Sequence, residues 1–232
     1  MSRINFLDKY AVDNRHYSMK HEIDVALNDK RNHIRLSAAQ QPKASIEQLD
    51  KAMSDENEYV RQAVANNPNA TKEHLDKAIS DESKLVRSRA AVNPKATTEH
   101  LDKLINDEDW TVRQAVSTNP NATKEHLDKA LNDSARDVRW KAIQNLNVTK
   151  EHIDKALNDS HLFVRTAAAR HPNATGEHLD KALNSPDRDI RWTAAKHPRA
   201  TKENLDKALN DLDASVREAA KNNPNYKKFF SK

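Results

Sequence analysis

Apolar residues return along this chain with a long period of 26 positions and, inside each period, with the spacing of a helix face. The stretch Pro120–Asn145, PNATKEHLDKALNDSARDVRWKAIQN, shows the unit. Leu127, Ala130 and Leu131 stand at i, i+3 and i+4, a narrow apolar stripe over KEHLDKAL at Lys124–Leu131. Asn132-Asp133 breaks the stripe, and Val138 and Ala142 resume it. The pattern predicts two short helices per unit, one over Lys124–Leu131 and one over roughly Ala135–Gln144.

The polar positions set the ends of those helices. Thr71, Thr97, Thr123, Thr149, Thr175 and Thr201, with Ser45 in an earlier copy, stand where an N-cap is wanted, and Glu follows two residues on. A proline at the start of the next unit stops the second helix. Ala70, Ala96, Ala122, Ala174 and Ala200 are expected to tuck the turn against the stack. Helices of about 8–10 residues are too short to stand alone. Each must bury its stripe against the units before and after it, which is why the unit recurs.

A degenerate copy runs from His16 to Gln41, and full copies begin at Pro42, Pro68, Pro94, Pro120, Leu146, Pro172 and Pro198. A truncated one begins at Pro224. The expected fold is all-α: an α-solenoid, a curved superhelix of about eight two-helix repeats with terminal caps. Residues 1–15, which include INFLDKYAV, read as an N-terminal cap, 16–223 as one continuous repeat domain, and 224–232 as a C-terminal cap.

Composition narrows the chemistry. Only 36% of residues are apolar and 5% aromatic, which suits thin helical layers packed through alanine. Charged residues reach 32% with a net charge of only +4, so most charge is interleaved; a polyanionic partner is permitted but not required. There is no cysteine, which excludes disulfides and thiolate metal sites and is compatible with a reducing cytoplasm. The first residues show no continuous apolar run of a secretory signal, and no segment approaches bilayer-spanning length. A cytoplasmic protein is expected, monomeric and with no membrane partner. The single glycine, Gly176, rules out phosphate-cradling loops, dinucleotide fingerprints and nucleophile elbows.

The run D-x5-R with Val before the Arg, followed by A-x-x-N-P, resembles the leucine-rich variant repeat and, more loosely, HEAT-like repeats. It is clearest in DESKLVRSRAAVNP (Asp81–Pro94) and DEDWTVRQAVSTNP (Asp107–Pro120). The resemblance covers residues 16–225 and implies an α-solenoid; those families span many functions. Leu146 in place of Pro, Ser185-Pro186 in place of the Asp turn, and Gly176 in a first turn depart from the pattern. HEAT-like repeats use the D-x5-R spacing for an Asp–Arg ladder between repeats. That implies a structural role for Asp81, Arg87, Asp107, Arg113, Asp133, Arg139, Asp159 and Arg165, each Arg pairing with the Asp six residues before it. Arg191 would then lack its carboxylate, because Ser185 stands there.

His74, His100, His126, His152 and His178 also recur. Equivalent positions in stacked helices lie about 8–10 Å apart, whereas zinc ligands sit about 2.0–2.2 Å from one ion. A surface or turn-packing role is expected, with no metal and no cofactor. Carboxylates alternate with lysines, as on a solvated helix face, and single out no acid/base pair.

Function is sought where the copies differ. One i, i+4, i+8 row of the second helix holds all three tryptophans: Trp110 in one unit, Arg136/Trp140/Gln144 in the next, then Leu162/Thr166/Arg170 and Arg188/Trp192/Lys196. With Lys141 these make an aromatic and basic stripe, the kind of variable face solenoids use for binding. The expected function is a non-enzymatic scaffold holding a macromolecular partner, first a protein with acidic patches. The alternative is nucleic acid, with phosphates on Arg136, Arg170, Arg188 and Lys196 and bases against Trp140 and Trp192. Size and HEAT-like character are also similar to the HEAT-like alkylpurine DNA glycosylases, with Asp137 and Asp189 beside the row where those enzymes place an acid.

Overall fold

The computed structural model describes residues 20–230 of the chain. The cap expected over residues 1–15 lies outside them. All regular structure among the described residues is helical, and the chain divides into two compact units, Met1–Asn121 and Ala122–Lys232. Each unit is an α-solenoid segment of stacked two-helix repeats. In the first, residues 20–26 are helical, and the pairs that follow include Ile46–Met53 with Glu58–Asn66 and Thr98–Leu104 with Trp110–Thr118. In the second, Lys124–Ala130 pairs with Arg136–Ala142, Lys150–Leu157 with Leu162–Arg170, Gly176–Leu183 with Arg188–Lys196, and Lys202–Leu209 with Ala214–Lys221. A last short helix, Tyr226–Phe230, brings Phe229 and Phe230 against the core of that unit. Within each unit, second helices stack on second helices and first helices on first. No helix among the described residues is long and apolar enough to cross a membrane.

The core is a column of small layers. Leu127, Ala130, Val138, Ala142 and Ile143 are wholly buried in one repeat, and Leu179, Ile190, Ala194 and Ala195 in another. Ala44, Ala70, Ala96, Ala122, Ala174 and Ala200, with Val148 at the equivalent place, are buried at the turns, where small side chains keep the repeats close.

The recurrent arginines tie successive repeats. The fork of Arg35 closes on both oxygens of Asp55, at 2.6 and 2.9 Å, and Arg61 on Asp81, Arg87 on Asp107, Arg139 on Asp159 and Arg191 on Asp211 do the same. The ladder does run between repeats, but the partner expected six residues earlier is corrected: the carboxylate is the Asp twenty residues on, in the following repeat. What Arg takes from the Asp six residues earlier is its backbone carbonyl, as in Arg113 Nη1 to Asp107 O at 2.7 Å and Arg139 Nη1 to Asp133 O at 2.9 Å. Each Asp also closes its own turn by accepting an amide two residues on, Ala135 to Asp133 and His161 to Asp159 among them. The Ser185 substitution consequently falls on Arg165, not on Arg191 as expected. Arg165 reaches Asp187 instead, through one oxygen at 2.6 Å. Burial raises the Asp159 carboxyl, but the Arg139 guanidinium and the His161 amide outweigh it and hold it below the usual range.

Of the surface and turn-packing roles expected for the histidines, their burial excludes the first and their place in the caps fits the second. Each is the third residue of a capping box: the Thr71 amide donates to His74 Nδ1 at 2.9 Å, and Thr149 to His152 at 3.0 Å. In His100 and His152, accepting at Nδ1 leaves the proton on Nε2, which donates to the preceding repeat, to Asp76 at 2.9 Å and to Asp128 at 2.8 Å. Asn204 replaces histidine in one box, and its shorter side chain donates instead to the Gly176 carbonyl at 3.0 Å. A Cβ at position 176 would lie 2.7 Å from Thr201 Cγ2, so glycine permits this closer approach.

A third tie went unread in the sequence: the residue before each proline. Asn67, Asn93, Asn119 and Asn223 are buried and donate Nδ2 to the carbonyls ending the preceding second helix, Ala39 and Ala65 in the first two cases. His171 and His197 do the same with Nε2, to Asn145 O and His171 O, while their Nδ1 atoms accept the amides of Asn173 and Arg199.

Asp159→Ala strands the Arg139 guanidinium, whose side chain is 14% exposed, and should cost about 3 kcal/mol in denaturant unfolding. Lys207→Ala, from the open pair with Asp180, should change stability by less than about 0.5 kcal/mol. Burial also holds His74, His171 and His197 below the usual imidazole range. The unfolded chain then binds protons that the fold refuses, so stability is complete above about pH 6.5 and is lost as pH falls from there toward the folded values. The thermal midpoint should drop between pH 7 and 5, and the double variant His171→Asn/His197→Asn should flatten that slope.

Candidate partner-binding surface

Within the second unit, Val138 and Ala142 of one second helix and Ile190 and Ala194 of another point into the core. That rotation turns Trp140 and Trp192 toward the outer side, where both are half-buried. Trp192 packs partly against the core formed by Leu179, Ile190 and Leu205. The Lys141 ammonium lies 4.8 Å from the Trp140 ring centre, and Lys196 Nζ lies 4.7 Å from that of Trp192. Gln144 is anchored by donating to Trp140 O at 2.7 Å.

Helix Leu162–Arg170 lies between these two and carries Phe163, 58% exposed. Two hollows meet on it. One, of about 570 Å³, is lined by Trp140, Gln144, Phe163, Thr166, Arg170 and Pro172, with His171 also in its wall. The other, of about 490 Å³, is lined by Leu162, Phe163, Arg170, Arg188, Trp192 and Ser215 among others. Phe163, Thr166 and Arg170 belong to both. His171 is buried and held neutral near pH 7 by desolvation, so charge at this surface comes from its rim.

The cations on that rim are not equivalent. Arg136 donates through Nε and Nη2 to Asp137 at 2.9 and 2.7 Å, with its guanidinium 5.9 Å from the Phe163 ring centre. Arg188 is held the same way by Asp189, at 3.0 and 2.7 Å. Arg170 is exposed and makes no hydrogen bond or ion pair among the described residues. Asp137 and Asp189 are thus spoken for by their arginine neighbours, and no cluster of three metal-ligating side chains occurs among the described residues.

The structure brings together Trp140, Gln144, Arg170, Arg188 and Trp192 around the two hollows, with Arg136, Lys141 and Lys196 at their margins. Trp110 opens a second helix of the first unit, 42% exposed. Phe163 was missed because it stands one position off the row that was read. Its signal was an aromatic where the equivalent positions of neighbouring repeats carry Asp137 and Asp189.

No protein-family model matches the sequence. No curated protein matches it either. Among solved structures, the chain is similar to one described as a leucine-rich repeat variant with a novel repetitive structural motif. The two share 27% identity with a TM-score of 0.68, over 88% of this chain and 81% of that one. The Escherichia coli protein YibA is similar in fold, at 19% identity and a TM-score of 0.53, over 96% of this chain and 98% of its own. The repeats of this chain are accordingly similar to the leucine-rich variant repeat.

Because Trp192 is part wedge and part surface, Trp192→Ala should lower stability by about 1–3 kcal/mol. Arg170→Ala should leave it within about 0.5 kcal/mol. Equilibrium denaturation of the two variants checks the contrast.

Proposed function

We propose that this chain, with repeats like those of the leucine-rich variant, is a non-enzymatic scaffold that binds a protein partner bearing acidic patches. One observation carries the reading: two adjoining aromatic-walled hollows share Phe163 and the unpartnered Arg170, with further cations around them. Hollows of this kind take side-chain anchors, and exposed aromatic and Arg residues are the commonest binding hot spots. Charge supports the sign of the partner. Residues 122–232 carry 21 Lys and Arg against 16 Asp and Glu, whereas residues 1–121 carry 18 against 19.

Nucleic acid is the less favoured partner on the geometry of the same residues. Arg136 and Arg188 already hold carboxylates, and Lys141 and Lys196 lie over the tryptophan rings a base would stack on. Asp137 and Asp189, the nominal acids of a glycosylase-like site, are each paired with an arginine. A cytoplasmic monomer is part of the proposal, and the absence of cysteine is compatible with that location.

The test uses the double variant Phe163→Ser/Arg170→Glu, which alters the shared wall and reverses its free charge. A partner identified by affinity capture from the native host should bind the wild type and lose at least about tenfold in affinity for the variant, at unchanged thermal midpoint. Labelled single- and double-stranded nucleic acid forms the other arm. Tight binding with a steep salt dependence, lost in the variant, would overturn the protein reading in favour of nucleic acid.

A further inference from the structure

We infer that the interrupted rung at Ser185 is a carboxylate-binding site, distinct from the aromatic hollows. In the rungs completed by Asp55, Asp81, Asp107, Asp159 and Asp211, a guanidinium gives Nε and Nη2 to both oxygens of one carboxylate. At position 185 that carboxylate is replaced by a hydroxymethyl group. Arg165 keeps the rung posture nonetheless, because Nη1 still donates to Asp159 O at 2.8 Å and Ser160 O at 3.0 Å. Its Nη2 reaches one oxygen of Asp187, and its Nε donates to no group among the described residues. The side chain is 22% exposed, against 10–16% for the arginines of the five complete rungs.

The missing group leaves space beside an oriented donor. A hollow of about 610 Å³ is lined there by Arg165, Lys181, Asn184, Ser185 and Asp187 among others. Ser185 Oγ accepts the Asp187 amide at 3.2 Å, which leaves its own proton to donate. Lys181 adds positive charge at the rim, although it is ion-paired with Asp154. Asp187 opposes an anion; it occupies Nη2 and so directs an incoming carboxylate to Nε and the Ser185 hydroxyl. The ligand class is read from the other rungs, where the same fork in the same setting holds a carboxylate. It comes either from a free carboxylic acid or from an Asp or Glu side chain of a polypeptide. None of the residues lining this hollow lines the other two, so the site stands or falls apart from the scaffold reading.

The experiment follows the arginine Nε–H resonances of the full chain by ¹H–¹⁵N NMR during titration with sodium succinate, at ionic strength held constant with sodium chloride. In the wild type one resonance, that of Arg165, should move saturably in the millimolar range. In Ser185→Asp, which supplies the rung with its own carboxylate, that resonance should start among those of the paired arginines and stay there, in a fold at least as stable as the wild type. The peptide N-acetyl-Asp-Glu-Asp-amide separates the sources. Binding at least about tenfold tighter than succinate assigns the site to acidic side chains, and equal or weaker binding assigns it to free carboxylates. No saturable movement in the wild type, or equal movement in Ser185→Asp, overturns the proposal.

Discussion

A helix of two turns is nearly all ends. Its first four amides and last four carbonyls have no partner within the helix, and a helix of seven to nine residues has little else. Stacking such helices buries those groups, so each must be given a partner from the next turn or the next repeat. The recurrent polar residues meet that demand. Histidine and threonine close the amino end of the first helix, and arginine collects the carbonyls and carboxylate of two successive turns. Asparagine, or histidine in its place, reaches back to the carbonyls that end the preceding second helix. Alanine and leucine supply the burial, but the hydrogen-bonding formula sets the spacing at which burial can occur.

The sequence displayed what is local to one repeat and hid what lies between repeats. The stripe of Leu127, Ala130 and Leu131, the caps at Thr123 and Thr149, and the alanine turns are properties of contiguous residues, and spacing alone reveals them. The partner of Arg139 is Asp159, in the following repeat; the nearer Asp133, six positions away, contributes only its carbonyl. Both residues recur in both repeats, so periodicity could not say which pairing is made. The recurrence of His152 left a surface and a turn-packing role open; its ring is held inward by the amide of Thr149 and the carboxylate of Asp128, contacts that only the fold displays.

The candidate surface was legible in the same uneven way. The row through Trp140, Arg170 and Trp192 was visible because those positions vary while the frame does not. Two facts depended on side-chain placement: Arg136 and Arg188 each hold an adjacent carboxylate, Asp137 and Asp189, leaving Arg170 as the arginine of the row without one, and Phe163 forms the wall common to both hollows. A helical row selects a direction around the axis, but a wide ring one position off the row covers the same ground.

Gly176 and Asn204 show what such a frame demands of its own history. A histidine in the box comes with a residue that carries a Cβ at the start of the first helix before it, as His152 follows Lys124, His100 follows Lys72 and His74 follows Ile46. Asparagine at 204 comes with glycine at 176, because the shorter amide draws the two repeats into a contact that a Cβ would fill. Repeats in this protein are therefore not free modules. The joint between these two is keyed, and duplication, deletion or recombination that moved one without the other would set a side chain against Thr201. An array that looks like copies of one part carries its order in such matched pairs.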